Sequence, residues 1–337
     1  MSHTKRRPER AFTIVELLAV IGAIAVLLGI LLVGLQSGSR MSRNVKSMSR
    51  LKQLHIAWTA YSNAYQDQLL PGYLEPGVQE NWRVRYKTAD GTRVSPGQSA
   101  TYPWRLLPYL DFDMDTLYGY RNDVDELAVS ASQSNDPNFE NSVNVMSAVP
   151  AFGYNAYYVG GWWEDREGIN HLVYGNSAAN ILVGDDVRTV KGRLVATSLA
   201  RITDPSRVVA FCSSIYRSPG ATIRDQSGNP DGAAWVVPKR LCQTEIWRLF
   251  SGDSLRGISA SLVAPFAGAG EGIEVFVEQA VPFERHGISI PSMNCDGSVV
   301  QSTLDDLANM DRWMSVASSG EGSPSSFSHQ CDDETEP

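Results

Sequence analysis

Cysteine is scarce in this chain and never clustered. The four thiols among 337 residues, Cys212, Cys242, Cys295 and Cys331, form no Cys-x-x-Cys and no Cys/His group, the close spacing that a zinc site needs. No structural metal is therefore expected, and no cofactor motif takes its place. In an oxidising compartment one or two disulfides are allowed, with three pairings between which the spacing does not choose. Acid is missing from a long stretch near the start. No Asp or Glu lies between Glu16 and Asp67, whereas Arg40, Arg43, Lys46, Arg50 and Lys52 all do. The net charge is nevertheless −8, so acid is concentrated downstream, and the chain lacks the overall basic balance of a nucleic-acid binder. The local basic run reads as a solvated helix face beside anionic lipid. Collagen-type and coiled-coil repeats are absent too. An apolar fraction of 43% with 28 Gly and 17 Pro indicates one sizeable, loop-rich globular domain with appendages.

What is present is a long apolar run. Residues 12–35, FTIVELLAVIGAIAVLLGILLVGL, carry one charge in 24 positions, and as a helix they reach about 36 Å, enough to cross a bilayer core of about 30 Å. An ordinary secretory signal has a shorter apolar region of about 7–15 residues and a small-x-small cleavage site, of which Ser37-Gly38-Ser39 is a poor version. The run has no proline, so a continuous helix is expected, loosened at most at Gly22, Gly29 and Gly34. Glu16 is its anomaly, because a carboxylate one turn deep in an apolar helix costs a few kcal/mol without a partner. Snorkelling at the interface accounts for one acid near a helix end, but not for the residues around it. Basic residues flank both ends of the run, so the positive-inside rule does not orient it.

The flanking residues carry a specific resemblance. Lys5-Arg6-Arg7 and Arg10, followed by Ala11-Phe12-Thr13-Ile14-Val15-Glu16, resemble the leader of type IV prepilins and type II secretion pseudopilins. The resemblance implies a cut between Ala11 and Phe12 by a prepilin peptidase, methylation of the new amine on Phe12, and Glu16 as the fifth mature residue. A Gly is usual where Ala11 stands. It further implies that the Phe12 amine meets the Glu16 carboxylate of a neighbouring subunit, a pairing that low dielectric strengthens. The implied partners are prepilin peptidase, other pilin-like subunits and inner-membrane lipid, with no nucleic acid. The implied location is the inner membrane, single-pass, with the C-terminal domain in the periplasm.

The domain plan then reads as a basic leader over 1–11, a transmembrane helix over 12–35, its amphipathic continuation over 36–70, a periplasmic α+β domain over 71–317 and a disordered Ser-rich, acidic tail over 318–337. The fold class is α+β, the long helix packed on an antiparallel sheet. Met41, Val45, Met48, Leu51, Leu54, Trp58, Tyr61 and Tyr65 recur at steps of three and four, a core stripe that Pro71-Gly72 ends. His55 reads as a packing or surface histidine. Residues 72–100 read as loop with a hairpin, 102–110 as a short aromatic helix, and 130–150 as a polar surface loop. The stretch from Phe152 to Trp163 reads as core lining of a β-rich domain rather than a sugar-stacking platform. Val208–Cys212, Ile273–Val277 and Ile288–Ile290 read as strands. Asp111, Asp113 and Asp115 alternate as in a calcium loop, but Thr116 and Asn122 stand where that loop needs Gly and Glu.

A second motif lies near the end. His286 is followed after nine residues by Asp296-Gly297, a dipeptide that marks a tight hairpin between Met293–Cys295 and Ser298–Val300. With the Leu51–Leu54 helix and the Asn309–Trp313 stretch, the layout resembles a large pilin-like family abundant in planctomycete-type bacteria, in which His and Asp-Gly frame a C-terminal hairpin. A structural role for His286 and Asp296 is expected, since no nucleophile or second metal ligand accompanies them. Gly252-Asp253-Ser254-Leu255 spells a lipase signature but lacks the downstream Asp-x-x-His. The chain is thus expected to be a non-enzymatic subunit, possessing no catalytic residues. The alternative is a membrane-anchored periplasmic binding or sensory protein, for glycan or protein, that forms no filament.

Overall fold

A chain with no proline between Pro8 and Pro71 can carry one uninterrupted hydrogen-bonded ladder. The computed structural model describes residues 14–119, 139–183, 186–192, 194–215, 232–241, 244–245, 247–249, 258–260, 280–285, 289–315 and 328–330. Its first element, α1 (Ile14–Ala64), is a single helix of 51 residues, about 77 Å long at about 1.5 Å per residue. The glycines in it meet nothing and cause no break. The helix stops before Pro71, because Gln66 and Asp67 turn into the left-handed region and the Asp67 amide closes back on Ser62.

The two halves of α1 have different surroundings. Ile14–Leu31 is an apolar span with none of its residues buried. Burial begins at Asn44 and continues through Ser47, Leu51, Leu54, Trp58 and Tyr61, the three-four repeat of a packed helix face. Met41, Val45 and Tyr65, expected in this stripe, are exposed. Small polar residues take the upper positions because the sheet meets the helix closely there, with Asn44 Nδ2 donating to Ser289 Oγ at 3.4 Å.

After α1 come β1 (Tyr73–Leu74), α2 (Pro76–Asn81), α3 (Pro103–Leu106), α4 (Met114–Tyr118) and α5 (Phe139–Ala148). Lys87 and Arg93 bridge as antiparallel neighbours, the hairpin expected in 72–100. α5 corrects the reading of 130–150 as loop. Val143 and Met146 are buried on one helical face, and Ser147 receives the Trp104 indole N–H at 2.7 Å. Of the three alternating aspartates at 111, 113 and 115, the last two have structural roles. Asp113 caps α4 and accepts from Thr116, while Asp115 pairs with Arg50 at 3.2 Å.

The aromatic stretch is core, as expected. It supplies β2 (Phe152–Tyr154) and the start of β3 (Trp162–Arg166), and Phe152, Tyr154, Tyr157, Tyr158 and Trp162 are all buried. Trp162 stacks between Tyr73 at 4.1 Å and Tyr157 at 5.1 Å. β3 runs parallel to β1 and antiparallel to β4 (Ile169–Leu172), and their two-residue turn, Glu167-Gly168, has positive φ at both positions, the geometry that matches strand twist. β5 (Ala178–Val183) and β6 (Asp186–Lys191) form a second hairpin.

The central sheet is built on β7 (Val209–Ile215), which is buried throughout. Short pairs follow, β8 (Arg240–Leu241) with β9 (Thr244–Glu245) and β10 (Trp247–Leu249) with β11 (Ile258–Ala260). β12 (Val281–Pro282) pairs with β7, and so does β13 (Ile290–Asn294), which turns back into β14 (Val299–Ser302). β2 lies on the other edge of β7 from β13, since both are in register with Phe211 and Cys212. α6 (Leu304–Leu307), capped by Thr303, leads to Trp313, whose carbonyl and that of Val209 both accept from the buried Asn155 amide. Within the tail, β15 (Ser328–Gln330) pairs with β5; the rest of 316–337, Ile273–Val277 and Ile288 lie outside the described residues. The fold is the expected α+β arrangement, a long helix against antiparallel sheets.

Candidate functional site

The chain offers two candidate regions on α1, its bare first half and the place where the Asp296-Gly297 turn meets its second half. In the first, Glu16 occupies the first turn of α1 and is exposed, within a cylinder of exposed Ile, Val and Leu side chains. Ala11 and Phe12 lie outside the described residues. Eighteen residues of this span extend about 27 Å, close to the thickness of a hydrocarbon core. A single N-terminal helix of this kind fits a membrane anchor or a signal sequence.

The second region is the turn between β13 and β14. Asp296 Oδ1 accepts from the Ser298 amide at 2.8 Å and its hydroxyl at 2.6 Å, and Gly297 adopts φ +83°. These bonds set a tight reversal that only glycine enters without strain. The turn is then fastened from two sides. Toward the sheet, the Cys295 and Asp296 amides donate to Val208 and Pro205, and Asn294 Nδ2 donates to Ser206 O at 2.7 Å. Toward the helix, Lys52 Nζ donates to Gly297 O at 3.0 Å, and the His55 ring lies where a β-carbon on Gly297 would stand, 2.2 Å from Nε2. Lys52 and His55, three positions apart, share one helix face.

The electrostatics agree with a packing role. Burial, then the Lys52 charge, push the His55 pKa down, with Asp296 opposing. Arg312, buried beneath the turn, donates to Asn294 Oδ1 at 3.2 Å and ion-pairs with Asp306 at 3.2 Å. Asp296 thus spends one oxygen on its own turn, and the other side of the His55 ring is held on its own helix, Nδ1 lying 3.5 Å from Thr59 Oγ1. The geometry fixes the azimuth of α1 against the sheet. Sequence reasoning located Asp296 and Gly297 but missed His55 and Lys52 as their seat. His286 and Ser254 lie outside the described residues, and so neither the His286 pairing nor the lipase-like tetrapeptide receives a structural account.

Cys212 and Cys295 are buried free thiols whose pKa values burial pushes far up. A bridge between them is excluded by register. Cys212 faces Ser292, whereas Cys295 binds Val208, just before β7 and four residues from Cys212, or about 13 Å at about 3.3 Å per residue against the roughly 7 Å limit of a disulfide. Among the described residues no group of three or more His, Cys, Asp or Glu converges to hold a metal. No protein family, characterised protein or solved structure matches the chain.

Proposed function

We propose that this chain is a pilin-like or pseudopilin-type structural subunit, held in the inner membrane by α1 with its head in the periplasm. Prepilin peptidase cuts after Ala11, Phe12 becomes the methylated N-terminus, and Glu16 pairs in the filament with the terminal amine of a neighbouring copy. The observation that carries the reading is the division of α1. One unbroken helix is bare and apolar over Ile14–Leu31 and becomes the spine of the head from Asn44 onward, so anchor and head move as one rigid rod. A rod of this form is what a filament of helix-packed subunits requires, its bare half covered by lipid before assembly and by other copies after it.

The resemblance of residues 5–16 to a prepilin leader supports the same reading, and the dock of Asp296-Gly297 on Lys52 and His55 supplies the fixed helix-to-head angle that regular packing needs. The reading assigns the chain no enzymatic step. Crosslinking in intact cells tests the assembly part. Ladders of crosslinked copies that vanish in Glu16→Gln, with the monomer level unchanged, are the expected outcome; identical ladders in wild type and Glu16→Gln, or none in either, would remove the filament from the account.

A second reading, a membrane-anchored binding protein that forms no filament, is favoured by one observation, a solvent-open cleft between Arg83, Arg85 and Arg93.

A further inference from the structure

In an acidic protein, unpaired arginines gathered around one concavity call for a reason. α2 ends at Asn81 with Trp82 as its C-cap, and the chain returns through Arg83, Arg85 and Tyr86 before reversing at Asp90-Gly91 and coming back through Arg93. The antiparallel bridge of Lys87 with Arg93, together with the Val94 amide donating to Tyr86 O at 3.1 Å, sets the two arms side by side. Arg83, Arg85 and Arg93 are exposed and line a cleft of about 280 Å³ with Tyr86, Gln79 and Glu80. None of the three guanidinium groups makes an ion pair or side-chain hydrogen bond among the described residues. Asp90, the nearest acid on the hairpin, is engaged by Thr88 and Thr92 at its own turn.

A fourth guanidinium lies behind the cleft. Arg105 is 1% exposed, and its donors go to four backbone carbonyls, Pro71 at 3.2 Å, Ser99 at 3.1 Å, Gly72 at 3.1 Å and Ala100 at 2.9 Å. Its Cζ stands 5.8 Å from the centre of the Tyr86 ring, a wall of the cleft. No carboxylate pairs with it among the described residues. Carbonyl dipoles satisfy its hydrogen bonds without cancelling its charge, and a charge under a low-dielectric wall raises the potential in the adjoining concavity. Three surface arginines against the single carboxylate of Glu80 leave the lining with a surplus of two positive charges before Arg105 is added.

The floor is preformed. Gln79 Nε2 donates to Leu74 O at 2.9 Å and Pro96 O at 2.7 Å, and its Oε1 accepts from Ser99 at 2.9 Å. Arg83 also takes a position better suited to another residue. It follows the helix C-cap at φ +57°, with its amide bonded to Glu80 O and the next amide to Gln79 O, a left-handed closure where glycine is the usual occupant. An arginine there accepts backbone strain and points to a use for its side chain.

We propose that this cleft binds an oxyanion, a carboxylate, sulfate or phosphate carried on a small acid or on the end of a saccharide. The planar forks of Arg83, Arg85 and Arg93 grip two oxygens at once, Tyr86 supplies an apolar wall, and the volume admits one such group. The assignment does not depend on whether the chain forms a filament. The test is isothermal titration of the full chain in neutral detergent with inorganic phosphate, sulfate and a glucuronate-ended disaccharide. Saturable one-to-one binding of at least one of them is expected, weakened tenfold or more in Arg83→Gln/Arg93→Gln and unchanged in Arg201→Gln, an exposed arginine elsewhere. Binding of the disaccharide alone identifies a saccharide acid as the ligand, and binding of phosphate or sulfate alone a free oxyanion. No saturable binding of any probe, or equal weakening in Arg201→Gln, would overturn the proposal.

Discussion

Replacing Gly297 by alanine tests the seat of the hairpin on α1, and its effect separates into two parts. The first is conformational. Gly297 sits at φ +83°, and an L-residue forced into that region loses about 1–2 kcal/mol. The second is steric. The new methyl would lie 2.2 Å from His55 Nε2 and 2.5 Å from Cδ2 and Cε1, so helix and turn must separate or the ring must swing away, an overpacking penalty of about 1–3 kcal/mol. Together Gly297→Ala is expected to destabilise the head by about 2–5 kcal/mol. Urea unfolding of the full chain in detergent, followed by the fluorescence of buried Trp58, Trp104 and Trp313, measures it. The decisive comparison is the same substitution in a His55→Ala background. There the steric part disappears while the φ part remains, so the penalty falls to about 1–2 kcal/mol. A Gly297→Ala protein as stable as wild type, or a penalty that stays the same without His55, would refute the dock.

Three further outcomes follow from the same structure. His55 has a folded-state pKa below 6.5, so the unfolded chain binds its proton first, and stability from this site is full above about pH 6.5 and declines as pH falls toward the folded value; wild type should lose more stability than His55→Gln between pH 7.5 and pH 5 in paired urea titrations. Arg105→Met strands four buried carbonyls, each worth about 1 kcal/mol or more, so a loss of about 3 kcal/mol or more is expected in thermal unfolding, and a wild-type midpoint would show that water or movement satisfies them. Arg83→Gly relieves the left-handed backbone and should raise stability by about 0.5–1 kcal/mol while weakening oxyanion binding severalfold, a split that a purely structural Arg83 would not give.

The sequence was most legible where one physical signal acts alone. The absence of proline predicted an uninterrupted α1, and Asp296-Gly297 predicted a reversal that the positive φ of Gly297 bears out. The aromatic, glycine-rich stretch from Phe152 to Trp163 predicted core, and all of it is buried except the half-buried Trp163. Legibility failed where polarity and burial part company. Asn44 and Ser47 face the sheet because they are small, and Met41 and Val45 remain uncovered although they continue the apolar period. α5 was hidden by its Asn and Ser content, yet Val143 and Met146 already carried the helical spacing. The seat of the hairpin was out of reach, since Lys52 and Gly297 are 245 residues apart and nothing local marks their meeting. The arginine cleft shows a weak trace in sequence, basic residues at 83, 85 and 93 around a turn. Its charge acquires meaning only when α3 brings Arg105 behind Tyr86.

The account stands most directly on the N-terminus of the mature protein. Mass spectrometry of the membrane-bound chain, purified from cells that contain a prepilin peptidase, should find N-methylated Phe12 as the first residue and no trace of residues 1–11. An intact Met1, or a start near Ser39 or Arg40 left by an ordinary signal peptidase, would contradict it.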